Sequence, residues 1–207
     1  MYYVGIATAK GGVGKTTLAH SLCYGASLLQ YPAHCAYTDD PIGKLNIVNR
    51  PYRYYDCTEI SRLSALAEKA TGKEGLIVVD GQANRHDFDA WVAKSVDIIL
   101  VPIMRDQASV KFGMDMLKKH KNAYSILSGF PGNIKEAEAF LREISEYGYS
   151  NERELFKMPK IAKLSTFISD DPKGIFITPP SNISSACKNL FLATREKLCE
   201  LSFAPLE

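Results

Sequence analysis

Lys10-Gly11-Gly12-Val13-Gly14-Lys15-Thr16-Thr17 is the stretch whose reading decides the fold. Just before it, Tyr2-Tyr3-Val4-Gly5-Ile6-Ala7 is short, apolar and rich in strand formers. Just after it, residues 18–29 read as a helix with Leu18, Leu22 and Leu29 on one side. The glycines therefore sit in a strand-to-helix turn, the context in which such a loop holds phosphate. Gly11, Gly12 and Gly14 allow backbone angles closed to other residues and let main-chain N–H groups approach an anion. Those groups and the positive end of the helix make a cradle. Lys15 is placed to reach the β- and γ-phosphates of a nucleotide, and the Thr16 hydroxyl to ligate Mg²⁺. Gly11 to Thr17, with Val13 and Thr17 included, are the expected nucleotide-binding residues.

The second anchor is Leu76-Ile77-Val78-Val79-Asp80. An unbroken apolar run reads as a strand buried on both faces, as in a parallel sheet. A carboxylate at its carboxyl end lies on the edge where ligands of α/β proteins bind. Asp80 is thus expected to act on Mg²⁺, directly or through water. Between the anchors, residues 33–38 read as a strand that leads to Asp39-Asp40-Pro41-Ile42-Gly43. A carboxylate there is well placed beside a metal and a γ-phosphate. The same two aspartates also suit an Asx turn ahead of Pro41.

Further strands are expected at 97–104 and 124–127, and helices at 58–70, 87–94, 107–121, 134–147 and 182–201. Residues 46–56, with Tyr52, Tyr54 and Tyr55 beside Arg50 and Arg53, read as a surface loop whose tyrosines pack on the domain. Strands that alternate with helices predict an α/β protein: a three-layer fold with a mostly parallel central sheet and helices on both faces. No repeat, low-complexity run or linker divides the chain, so residues 1–207 are expected to form one domain.

Composition narrows the function. A 207-residue chain is long enough for one large α/β core. Its 46% hydrophobic and 23% charged residues are ordinary for a globular protein. The 5 cysteines contain no CxxC pair and are odd in number, which reads as reduced thiols without a disulfide framework or zinc site. The first residues read as a strand rather than a cleavable leader. No apolar run approaches the roughly 20 residues that span a bilayer. Cytoplasmic residence is the expectation. With a net charge of only +2, contact with nucleic acid would have to come from a local patch. Three sets stand out: Lys118, Lys119 and Lys121; Lys157, Lys160 and Lys163; and Lys188, Arg195 and Lys197.

The loop pattern GxxxxGKT needs a glycine at position 9, where this chain has Ala9 followed by Lys10. A lysine opening the loop as KGGxGKT resembles the ParA/MinD family of deviant phosphate-loop ATPases. The resemblance runs along the whole chain and is specific at 10–17, at Asp40 and Pro41, and at Asp80. It implies ATP and Mg²⁺ as cofactors, with Lys10 crossing a dimer interface to the partner subunit's nucleotide. It makes Lys10, Lys15 and Asp40 the catalytic residues, with Asp40 orienting the attacking water. Thr16, Asp40 and Asp80 become the metal site. It also places Met158 and Pro159 beside the base, because a late strand of the family ends in proline there.

The chain departs from the family at Thr38, where an aspartate is usual, at Ile42, at Gly81-Gln82-Ala83-Asn84, and at Ser128-Gly129-Phe130. The function implied is an ATP-dependent dimerising switch. It would bind DNA without sequence preference, be nucleoid-associated when ATP-bound, hydrolyse ATP slowly, and segregate plasmids or chromosomes with a small centromere-binding, ParB-like partner. DNA contact in relatives late in the chain favours Lys157, Lys160, Lys163, Lys188, Arg195 and Lys197. The alternatives are a MinD-like membrane-associated positioning ATPase and a metabolic ligase or kinase of the same fold. The tail 198–207 is acidic and broken by Pro205, unlike a basic lipid-binding helix.

Overall fold

Apolar runs too long to have a solvated face set the middle of the sheet. Every residue of β4 (Leu76–Asp80) and of β5 (Ile98–Ile103) is buried. The computed structural model describes residues 1–38, 50–81, 92–161, 176 and 178–203. Along them the chain runs β1 (Tyr2–Ile6), α1 (Lys15–Leu28), β2 (Ala33–Tyr37), β3 (Arg53–Asp56), α2 (Ile60–Ala70), β4, β5, α3 (Gln107–Lys119), β6 (Ala123–Phe130), α4 (Ile134–Glu146), β7 (Glu154–Pro159) and α5 (Ser181–Phe203). The strands form one sheet in the order β3-β2-β4-β1-β5-β6-β7. All of their pairings are parallel.

Alternate strand residues feed two cores, as the two-residue period of a strand requires. On one face Val4, Ile6, Val78 and Leu100 pack with Leu22 of α1 and Leu190 of α5. On the other Ile77, Val79, Ile99 and Val101 pack with Leu63 of α2, Val110 of α3 and Phe140 of α4. This is the expected three-layer arrangement, with the sheet wholly parallel. α1 packs directly on α5. A Cβ on Gly25 would lie 2.0 Å from the carbonyl oxygen of Cys187, so only glycine fits there.

Two expectations need correction. Residues 53–56 are not loop but β3, an edge strand paired with β2 from His34↔Arg53 to Tyr37↔Asp56. Tyr52 and Tyr54 are core residues, and Tyr54 stacks on Tyr37 with ring centroids 4.7 Å apart. The strand expected at 124–127 is β6, which extends to Phe130 through a register irregularity at Ser128.

Candidate nucleotide site

The carboxyl edge of the sheet brings the glycine-rich loop and Asp80 together. β1 ends at Ile6 and is followed by the glycine-rich loop, which runs straight into α1. Gly12 has φ 74° and Gly14 φ 86°, the left-handed region that glycine enters without strain. Gly14 caps α1, and its carbonyl accepts the first helical bond from Leu18 N–H at 2.9 Å. A Cβ added at Gly11 or Gly12 would meet nothing within 4 Å, so the space over the loop backbone is open. Val13 is buried and anchors the loop. The Lys15 side chain is buried as well, and its Nζ donates to the carbonyl oxygens of Lys10 at 3.1 Å and Thr8 at 3.3 Å. Thr16 and Thr17 follow in the first turn of α1, both half-buried.

Lys10 does not point free. Its ammonium forms an ion pair with the Asp106 carboxylate, from the far side of β5. Asp106 is the N-cap of α3 and accepts from Ser109 N–H at 2.9 Å. Burial alone would raise its pKa. The Lys10 ammonium and the amides of Ser109 and Ala108 outweigh that and hold it below the usual carboxylate range.

Asp80 closes β4 directly opposite Ile6, so sheet register brings this buried carboxylate beside the loop. Thr38, which stands where the ParA/MinD pattern has an aspartate, is buried and gives its hydroxyl to the Asp80 carbonyl at 2.6 Å. It therefore ties β2 to β4 and takes a structural part in place of a carboxylate's. Gly81 N–H continues the pairing to Ile6 O at 3.0 Å.

A cavity of about 330 Å³ opens from the loop toward β6 and β7. Its walls include Gly14, Thr17, Ser21, Ser128, Gly129 and Met158. Met158, expected beside the base, is one of the cavity-lining residues. Pro159 follows it and pairs with Phe130. Ser128, Gly129 and Met104 also line the cavity, and sequence reasoning did not assign them. The signal at 128–129 was a glycine at the carboxyl end of a strand, where Gly129 has φ 73°.

Beneath the loop, α1 carries a polar network that the sequence did not announce. His20 is fully buried, and its Nδ1 lies 2.6 Å from the Tyr52 hydroxyl. Burial first, and Arg50 second, push its pKa down to about 3. The imidazole is therefore neutral. Arg50 Nη1 donates to the Tyr52 oxygen at 3.2 Å, which leaves the Tyr52 proton for His20 Nδ1.

The expected basic residues that are described lie on β7, just after it, and on α5. Lys157 pairs with Glu154 at 3.1 Å, and its Nζ lies 5.3 Å from the centre of the Phe130 ring. Lys197 pairs with Glu200, and Arg195 lies over the Tyr31 ring. Lys160 and Lys188 are exposed on different elements. Asp40, Lys163 and Gln82 to Asn84 lie outside the described residues.

No protein-family model matches the sequence, and no curated protein matches it. Solved structures do. A chain of the MinC:MinD cell division protein complex from Aquifex aeolicus superposes with a TM-score of 0.68 at 17% identity, over 100% of this chain and 99% of that one. A ParA family ATPase from Chlorobium tepidum gives 0.66 at 16%, over 92% and 98%. The septum site-determining MinD of Pyrococcus horikoshii, complexed with Mg-ADP, gives 0.59 at 15%, over 99% and 99%. The chain has the fold of the MinD and ParA ATPases. The loop lies with Asp80 and the adjoining cavity at one edge of the sheet. The open backbone cradle suits phosphates, and the cavity volume is within the range of small-molecule sites. Among the described residues no cluster of three His, Cys, Asp or Glu could hold a metal unaided.

Proposed function

We propose that the protein is an ATP-dependent switch ATPase of the ParA type. The observation that carries this reading is Lys10 at the head of the glycine-rich loop, beside a cavity of about 330 Å³. In this reading Gly11 to Thr17 hold the phosphates, Lys15 faces the β- and γ-phosphates, and Thr16, Asp40 and Asp80 hold Mg²⁺. Met158 and Pro159 lie by the base. Bound Mg²⁺ neutralises charge on the phosphates. Asp40 orients the attacking water, and Lys10 reaches the nucleotide of a second copy. The ATP-bound dimer binds DNA non-specifically, through Lys157, Lys160, Lys163, Lys188, Arg195 and Lys197, and hydrolysis releases it. A ParB-like partner stimulates turnover and couples the cycle to segregation.

Co-sedimentation with DNA and with liposomes, each with and without Mg-ATP, tests the reading alongside phosphate release. ATP-dependent, salt-sensitive pelleting with DNA is expected. ATP-dependent pelleting with liposomes alone would replace segregation by membrane positioning. The described residues contain no helix long and apolar enough to cross a membrane. No phosphate release, or a metabolite-dependent one, would favour the metabolic enzymes of this fold.

A further inference from the structure

The amino edge of the sheet, opposite the nucleotide site, holds a second cleft. Its volume is about 590 Å³, and its walls include Tyr31, His34, Arg50, Tyr52, Arg53 and Lys73. Glu74 is the acidic wall residue among those described. It is separated from the first site by the length of β2, about 15 Å at ~3.3 Å per residue. Both sites border α1, whose Ser27 lines this cleft at the other end of the helix.

The charge here is concentrated. The whole chain carries +2. This cleft alone sets Arg50, Arg53 and Lys73 against Glu74. The carboxyl end of α1 supplies only about half a negative charge, so dipole compensation does not account for three cations. Two of them are exposed on different elements: Arg53 begins β3, and Lys73 lies in the turn before β4. Neither forms an ion pair among the described residues. Arg50 is buried, with one guanidinium nitrogen 3.2 Å from the Tyr52 hydroxyl, so its place on the wall is set. His34 stands in register with Arg53, and its Nδ1 is buried with no hydrogen-bond partner. Burial, then Arg53 and Lys73, lower its pKa, which reports the positive field inside the cleft. Arg195 extends that field at the rim, 5.4 Å over the Tyr31 ring.

We propose that this cleft is a second anion site, which binds a phosphate-bearing polyanion between Arg53, Lys73 and His34. Phosphates of a nucleic-acid strand and of a free polyphosphate share the chemistry. Guanidinium and ammonium groups pair with phosphate oxygens, and the negative charge they hold there offsets the field of Arg53 and Lys73 and favours the protonated His34 imidazole. The site is separate from the glycine-rich loop and does not depend on nucleotide binding there.

The test reads His34 itself. Imidazole ¹H–¹³C spectra are recorded with AMPPNP and Mg²⁺ in excess, the His34 signal being identified by its loss in His34→Gln. Inorganic tripolyphosphate is titrated in one arm and a 20-base-pair DNA duplex in the other. At least one probe should move the His34 signal and raise its pKa. The Arg53→Glu/Lys73→Glu double variant should weaken that probe at least tenfold, with AMPPNP affinity within twofold of wild type. A response to tripolyphosphate identifies a free anion as the ligand, and a response to duplex alone identifies nucleic acid. The milder Arg53→Gln/Lys73→Gln pair gives the same ranking should charge reversal unfold the protein. A His34 signal unmoved by both probes, or undiminished affinity in the variants, overturns the site. Failure of AMPPNP to bind would count against the ATPase reading and leave the His34 result standing.

Discussion

Lys10 and Asp106, 96 residues apart in sequence, are joined by an ion pair across the mouth of the nucleotide site. The pair couples the first residue of the glycine-rich loop to the N-cap of α3. In the proposed dimer Lys10 would have to leave Asp106 before reaching a second copy, so the ion pair would oppose assembly. Asp106 titrates below the usual carboxylate range, so its contribution is present above that range and lost only as pH falls through its lowered pKa. Near neutral pH the pair stays charged, and competing phosphate, not acid, must open it.

Asp106→Asn separates the charge from the cap, because the amide oxygen still accepts from Ser109 N–H. Partly exposed ion pairs contribute about 0.2–1 kcal/mol. The variant should therefore dimerise at an ATP-analogue concentration about two- to fivefold lower than wild type, measured by light scattering. Lys10→Ala should bind the analogue yet fail to dimerise. A variant Asp106→Asn that needs more nucleotide would show that the pair assists the dimer.

Lys15→Ala removes the buried ammonium at the heart of the loop. Hydrogen bonds to charged groups contribute about 1.5–3 kcal/mol, so Mg-ATP affinity should fall about 10- to 100-fold. Titration calorimetry measures it. Unchanged affinity would remove the phosphate-loop assignment.

Gly25→Ala tests the packing that positions α1. Alanine favours a helix over glycine by about 1 kcal/mol, which alone would stabilise. Its Cβ would meet the Cys187 carbonyl at 2.0 Å, and backbone cannot rotate away. Overpacking costs about 1–3 kcal/mol, and a contact this short belongs at or beyond the upper end. The net outcome should be a melting temperature lower by roughly 5 °C, at ~2–4 °C per kcal/mol for a chain of this size. An unchanged melting temperature would mean that α1 and α5 sit further apart.

The parts legible in the sequence are those with a local signal. Val4 to Thr17 reads as strand, turn and helix because its periods and glycines are local. Leu76 to Asp80 reads as buried strand because no residue in it is polar before the last. β3 was missed because an edge strand lacks that run: Arg53-Tyr54-Tyr55-Asp56 has charged ends and leaves Arg53 and Asp56 exposed. The pairing of Asp106 has no local signal, since nothing in its neighbourhood announces a lysine 96 residues away. Thr38 looked like a departure from a carboxylate, and its hydroxyl bond to the Asp80 carbonyl became visible only once β2 and β4 were side by side. The second cleft draws on 27–34, 50–53 and 73–74, which only the sheet order brings together.

His20 gives the fold a pH dependence whose sign is fixed by its burial. Its pKa is about 3 in the folded protein against an ordinary 6.5. A depressed folded pKa means that the unfolded chain takes up the proton first. The contribution is full above about pH 6.5 and is lost as pH falls from there toward 3. At pH 5 the loss is roughly 2 kcal/mol, at 1.36 kcal/mol per unit. Wild type should thus melt roughly 4–8 °C lower at pH 5 than at pH 7 from this group. His34 and His120, also lowered by burial, add in the same direction. The comparison with His20→Gln isolates the buried imidazole. The glutamine carbonyl can accept from the Tyr52 hydroxyl but does not titrate. That variant should be less stable than wild type at pH 7 and should close most of the gap by pH 5. Parallel melting curves for the two proteins across this range would mean that His20 is hydrated and titrates normally.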